Sequence, residues 1–138
     1  MFLMNRYDTF QAFRDRLNTR ILGDDAARGT HPGGAPRAGA TLVTKRFFNL
    51  DARAYEPGAL DGRTKELLGL VASAVLRCDD CIAYHIDRCC ELGASDEELM
   101  ESLDVALIVG GSIVIPHLRR AVEFLDERRA HEHAAGGQ

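Results

Sequence analysis

No apolar run in this 138-residue sequence is long enough to span a bilayer. Basic charge is not in excess either. Seventeen Lys and Arg face 21 Asp and Glu, for a net charge of -4 and a pI near 5.7, which argues against a nucleic-acid-binding surface. Internal repeats are missing, and so are low-complexity segments apart from one Gly- and Pro-bearing stretch. The apolar opening Met1-Phe2-Leu3-Met4-Asn5-Arg6 is too short to read as a signal peptide. Four cysteines without an export signal lead us to expect a cytoplasmic protein. In that compartment a close cysteine pair is more often catalytic or metal-binding than a structural staple. What is present, 46% hydrophobic residues and a mean hydropathy of -0.17, is the composition of a globular domain. The length suits a single domain, small enough to favour assembly.

The apolar pattern is helical throughout. Phe10, Phe13, Leu17 and Ile21 mark one face of a helix over Arg6 to Leu22, which Gly23 ends. Residues 24–40 carry the Gly- and Pro-bearing stretch and read as a flexible loop. Leu42, Val43, Phe47, Phe48 and Leu50 make a second, shorter helical segment, broken by Pro57 and Gly58. From Arg63 to Arg77 nearly every position after Glu66 is apolar, so burial on most sides is expected. A new helix starts at Cys78 and Asp79 and ends at Gly93, a C′ glycine. Ser95 and Glu98 form a capping box for the next helix, whose Leu99, Met100, Leu103, Ala106 and Leu107 should face inward. Gly110-Gly111-Ser112 marks a break or a close backbone crossing. The last helix, Ile113 to about Arg129, accommodates Pro116 in its first turn. Residues 130–138, including His131 and His133, read as a frayed polar tail.

The chemistry concentrates in Cys78-Asp79-Asp80-Cys81-Ile82-Ala83-Tyr84-His85. On a helix, Cys81 and His85 lie within about 60° of Cys78 around the axis, so two thiols and an imidazole share one stripe. Cα atoms of an i,i+3 pair stand roughly 5 Å apart, inside the span a disulfide accepts. Such a dithiol can close and reopen, with a proton carrier one turn beyond it. A cysteine at a helix N-terminus gains thiolate stability, which Asp79 and Asp80 oppose unless they point away. Glu66, standing at the start of its helix, is by position alone a solvated end or a partner of the helix dipole. Directed inward, its pKa would rise and suit proton transfer.

Glu66 followed by eleven residues and then Cys78-x-x-Cys81-x-x-x-His85 resembles the AhpD-like superfamily, which includes alkylhydroperoxidase D and the carboxymuconolactone decarboxylases. The flanking Leu67-Leu68-Gly69-Leu70-Val71-Ala72, Glu91-Leu92-Gly93-Ala94-Ser95-Asp96-Glu97-Glu98 and Ala106 to Gly111 stretches match as well. The likeness covers roughly residues 45 to 127. It implies an all-α helical bundle of about six helices in a single domain, with a core over about 42–129, oligomeric as a trimer or hexamer. It further implies a thiol-dependent oxidoreductase in which Glu66 and His85 take the proton from Cys81. The Cys81 thiolate then attacks a peroxide or a small disulfide, Cys78 resolves the product, and an external thiol reductant restores the pair. One position departs: alkylhydroperoxidase D has a second histidine just before its second cysteine, where this chain has Asp80.

Two other functions compete. A carboxymuconolactone-type decarboxylase would use Glu66 and His85 but has no need of two cysteines. A non-enzymatic metal-binding or redox-sensing oligomer would use the thiols alone. Cys78, Cys81, His85 and Cys89 share a stripe, yet Cys78 to Cys89 spans roughly 16 Å of helical rise. Zinc ligands must all lie about 2.0–2.3 Å from the ion, so one helix cannot supply that set. A site could still borrow ligands from symmetry mates or from His117, so metal binding is demoted; the expectation is no metal and no cofactor. Cys89 and Cys90 read as core thiols. Cys89 and His117 are secondary candidates, His117 being by default a hydrogen-bonded structural residue.

Overall fold

The structure, a computed structural model, describes residues 4–137. Met1, Phe2 and Leu3 of the apolar opening, and Gln138 of the expected tail, lie outside the described residues. These residues form seven α-helices and contain no β-strand, so the all-α expectation holds. The helices are α1 (Arg6–Leu22), α2 (Asp25–Arg28), α3 (Leu42–Ala54), α4 (Gly62–Val75), α5 (Asp79–Glu91), α6 (Asp96–Gly110) and α7 (Ile115–Gly136), with a 3₁₀ turn at Ser112–Val114. The chain divides into two compact units, one over Asp8–Glu56 and one joining the segment that ends at Tyr7 to the chain from Pro57 onward.

In the Asp8–Glu56 unit, short polar side chains start the helices. Asp24 accepts the Ala27 N–H at 3.0 Å to cap α2, and Thr41 accepts the Thr44 N–H at 3.3 Å to cap α3. The 24–40 stretch contains α2 and a turn closed by His31 N–H donating to the Ala35 carbonyl at 2.8 Å. Arg20 donates to the Ala38 carbonyl at 2.8 Å, and the Ala40 N–H to that of Ile21 at 2.9 Å, tying the stretch to α1. Helix α3 buries none of its residues, and Phe47 is 68% exposed.

The other unit holds the core, built from Leu70, Ile82, Ile86, Leu99, Leu103, Val114 and Phe124. Helix α4 packs on α5 and α6, and α5 packs on α7. Asp61 caps α4 by accepting the Thr64 N–H at 2.7 Å, and the Ser95–Glu98 capping box opens α6. Tyr7 is buried with its ring 5.4 Å from that of Phe124, and its N–H donates to Glu127 at 2.7 Å. Arg128 crosses from α7 to Asp87 on α5 at 2.6 Å.

Three expectations are corrected. Helix α4 is not buried on most sides: Glu66, Leu70, Ser73 and Ala74 face inward, whereas Leu68 and Leu76 are 54% and 76% exposed. Its neighbours α5 and α6 cover one face only. Met100 on α6 likewise points outward. The polar tail from residue 130 is not frayed, because α7 continues to Gly136. Glu132 pairs with Arg128 at 2.7 Å and Arg129 at 3.0 Å, one turn back, and no helix breaker intervenes before Gly136. His131, in that added turn, stacks 5.0 Å from the Tyr7 ring.

Candidate functional site

The dithiol is positioned by the way α4 ends. The Cys78 N–H donates to the Ser73 carbonyl at 3.0 Å and the Arg77 N–H to that of Ala74 at 3.0 Å, the paired bonds of a Schellman turn. Arg77 occupies the left-handed position such a turn requires, at φ 59°, although it is not glycine. Cys78 then becomes the N-cap of α5. Its Sγ accepts the Cys81 N–H at 3.3 Å, where a serine or aspartate oxygen more often sits. The two cysteines are joined in a Cys78–Cys81 disulfide, with their Cα atoms 5.2 Å apart, close to the separation read from the i,i+3 spacing. Cys81 is exposed and Cys78 half-buried.

One turn beyond Cys81, His85 turns into the protein and is buried. Its Nδ1 lies 2.7 Å from Oε2 of Glu66, which is itself only 1% exposed. The bond fixes the orientation of the ring against α4, and because an ionised carboxylate only accepts, it suits the tautomer that carries its proton on Nδ1. Arg88, one turn further along α5, brings Nε to 3.7 Å from the other Glu66 oxygen and also pairs with Glu91. The buried carboxylate thus has two partners of complementary charge or polarity. Gly69 makes the approach of the ring possible. It follows Glu66 by three residues on α4, and a Cβ there would fall 2.5–2.8 Å from the Cε1, Nε2 and Nδ1 atoms of His85. Only a residue without a side chain leaves that space.

Cys89 and Cys90 are buried deeper in the unit. Burial pushes the Cys89 thiol up to about 12, with the nearby Glu66 charge adding to it, and the Cys90 thiol up to about 11. Both stay protonated at neutral pH. His117 on α7 places Nδ1 2.7 Å from Oδ1 of Asp79, the residue after Cys78, and Arg120 approaches the other oxygen of that carboxylate at 3.4 Å. Among the described residues no group of three or more His, Cys, Asp or Glu side chains converges as a metal-ligand set.

The structure therefore brings Glu66 and His85 together, joins Cys78 to Cys81, and puts His117 against Asp79 at the head of the same helix. Cys89 lies in the core on the side of Glu66. The sequence reading missed Arg88, Gly69 and Arg120. Arg88 carried a signal, standing three residues after His85 on the same helical face. Gly69 carried another, since an isolated glycine inside a helix points to a close approach. Nothing local pointed to Arg120, which reaches Asp79 only through tertiary packing.

The sequence profile of the carboxymuconolactone decarboxylase family matches residues 41–124. A carboxymuconolactone decarboxylase family protein of Thermotoga maritima, described with the antioxidative response as a candidate role, superposes with a TM-score of 0.76 at 56% identity. The match covers 92% of this chain and 95% of that one. The apo form of a Legionella pneumophila protein of the same family gives a TM-score of 0.59 at 32% identity, over 62% and 77% of the two chains. Protein 4 of the cox locus of Paracoccus denitrificans is 34% identical over 95 residues, which is 69% of this chain and 85% of that one. With its matching profile and its paired, helix-capping cysteines, this chain belongs to the carboxymuconolactone decarboxylase family.

Proposed function

We propose that the protein is a thiol-dependent oxidoreductase of the alkylhydroperoxidase type, reducing a peroxide or a small disulfide at Cys81. The observation that carries this is a surface dithiol at the head of α5, backed one helical turn on by the buried Glu66–His85 pair. Glu66 orients the imidazole so that Nε2 is the proton acceptor. His85, directly or through a water, takes the proton of Cys81, and the thiolate attacks a peroxide oxygen. The O–O bond breaks, the alkoxide leaves as an alcohol after taking a proton, and Cys81 becomes a sulfenic acid. The Cys78 thiolate attacks that sulfur, expels water and closes the Cys78–Cys81 disulfide. An external thiol then reopens the disulfide and is itself oxidised. Buried and protonated, Cys89 takes no part.

The chain works as a homo-oligomer, in our proposal a trimer or hexamer. In support, Ile108 is 87% exposed, Val109 beside it is exposed, and α3 leaves Val43 and Phe47 uncovered. Apolar surface on this scale marks a contact site. Light scattering at micromolar concentration should give a multiple of the chain mass, and a monomer would refute the assembly.

The enzymatic proposal is tested by following an alkyl hydroperoxide with dithiothreitol as reductant. Wild-type protein should consume it, and Cys81→Ser should not. Failure of wild-type protein to turn over either a hydroperoxide or a small disulfide would overturn the proposal.

A further inference from the structure

Asp79 follows Cys78 directly and puts a carboxylate in the first turn of the helix that Cys78 caps. Left alone it would oppose the stabilisation that the α5 N-terminus offers such a thiolate. It is not left alone. His117 takes one carboxylate oxygen at 2.7 Å and Arg120 approaches the other at 3.4 Å, both from α7. The remaining charged neighbours in sequence are Arg77 before Cys78 and the exposed Asp80 after it.

We propose that His117 and Arg120 are positioning residues, His117 holding the Asp79 carboxylate and Arg120 offsetting its charge, so that Cys78 acts as the leaving sulfur when the disulfide is reduced. This rests on the dithiol exchange described above and adds residues that act through Asp79. An external thiolate attacks the exposed sulfur, Cys81. A new bond forms from the reductant sulfur to Cys81 Sγ, the Cys78–Cys81 bond breaks, and the electron pair stays on Cys78 Sγ. A second thiolate of the reductant then attacks its own sulfur in the mixed disulfide, leaves as the oxidised reductant and frees Cys81; the two protein thiolates take protons from water. The charge formed in the first step falls on the N-cap of α5, where the Cys81 N–H already donates to Sγ at 3.3 Å. Exchange is faster when the leaving thiol is more acidic. Offsetting the Asp79 charge from α7 therefore favours reopening of the disulfide.

The test isolates Cys78 in the reduced Cys81→Ser protein, where thiolate absorbance is followed against pH below 10 and the two buried thiols stay silent. Arg120→Gln and His117→Ala should each raise the Cys78 midpoint by about half a unit to one unit. In the chain with both cysteines, each should slow reduction of the disulfide by dithiothreitol roughly two- to threefold. Adding Asp79→Asn should return midpoint and rate to those of the parent, a rescue that a merely structural role for the two residues would not produce. Unchanged midpoints in both variants, or an upward shift that persists beside Asp79→Asn, would overturn the proposal. Because the titration needs no peroxide turnover, a failure here is distinct from a failure of the peroxidase proposal.

Discussion

Replacing Gly69 by alanine sets two effects of opposite sign against each other. Helix propensity alone favours alanine over glycine inside α4 by about 0.8–1.0 kcal/mol. Against this, the new Cβ would stand 2.5 Å from Cε1 of His85, about 1 Å inside ordinary contact. The helix backbone cannot yield that distance without losing its own hydrogen bonds, so the ring moves away from α4. Glu66 is also on α4, and its 2.7 Å bond to Nδ1 stretches past the hydrogen-bonding limit. Overpacking costs about 1–3 kcal/mol and a lost hydrogen bond to a charged group about 1.5–3 kcal/mol, leaving, after the propensity gain, a net loss of roughly 1.5–5 kcal/mol. Thermal unfolding should show a midpoint lowered by at least about 5 °C. A displacement of about 1 Å at a proton-transfer group should lower peroxide turnover by roughly a hundredfold. An alanine variant that melts as high as wild type and keeps its turnover would refute the argument from close approach.

Glu66→Gln keeps the shape of the buried side chain and removes the carboxylate, so turnover should fall by about 10²-fold or more while the fold survives. His85→Gln should do comparable damage, and the double variant should lose far less than the product of the two, as groups acting as one unit do; multiplicative losses in steady-state rates would mean independent roles. Peroxide treatment followed by alkylation and peptide mass mapping should find the Cys78–Cys81 bridge with Cys89 and Cys90 reduced, and Cys89 in the first-formed bridge would contradict the core placement. Those two thiols have folded values of about 12 and about 11, above the 9.0 of the unfolded chain. The native state therefore holds more protons than the unfolded one above pH 9, and stability should fall as pH rises from there towards 12. Denaturant midpoints should show that slope, and Cys89→Ala with Cys90→Ala should flatten it. Arg77→Gly relieves the left-handed backbone at φ 59° and should raise the unfolding midpoint, the gain in stability being about 1 kcal/mol or less once the added freedom of the unfolded chain is counted. A lower midpoint would show that the arginine side chain contributes more than its backbone costs.

What could be read from the sequence was whatever depends on residues close together along it. The all-α class, the Ser95–Glu98 capping box, the C′ role of Gly93 and the separation of Cys78 from Cys81 follow from helical periodicity and cap chemistry, which act over three to five residues. The same local rules misjudged α4. An apolar run records which residues tolerate burial, not which face a neighbour covers, so the exposure of Leu68 and Leu76 could not be read from it. They also stopped α7 too early, because polar composition was taken for fraying where paired charges one turn apart sustain the helix. Position alone made Glu66 a solvated helix end, and only the likeness to a known family turned it inward. Packing of α4 against α5 decided the matter, bringing the carboxylate to His85 across 19 positions of sequence through the gap that Gly69 leaves. Asp79 meeting His117 is of the same kind, 38 positions apart and joined only because α5 and α7 pack together. Local backbone preference determines the helices and places the thiols one turn apart. The proton partners come from other helices, and their distances exist only once burial of the shared core has set those helices side by side.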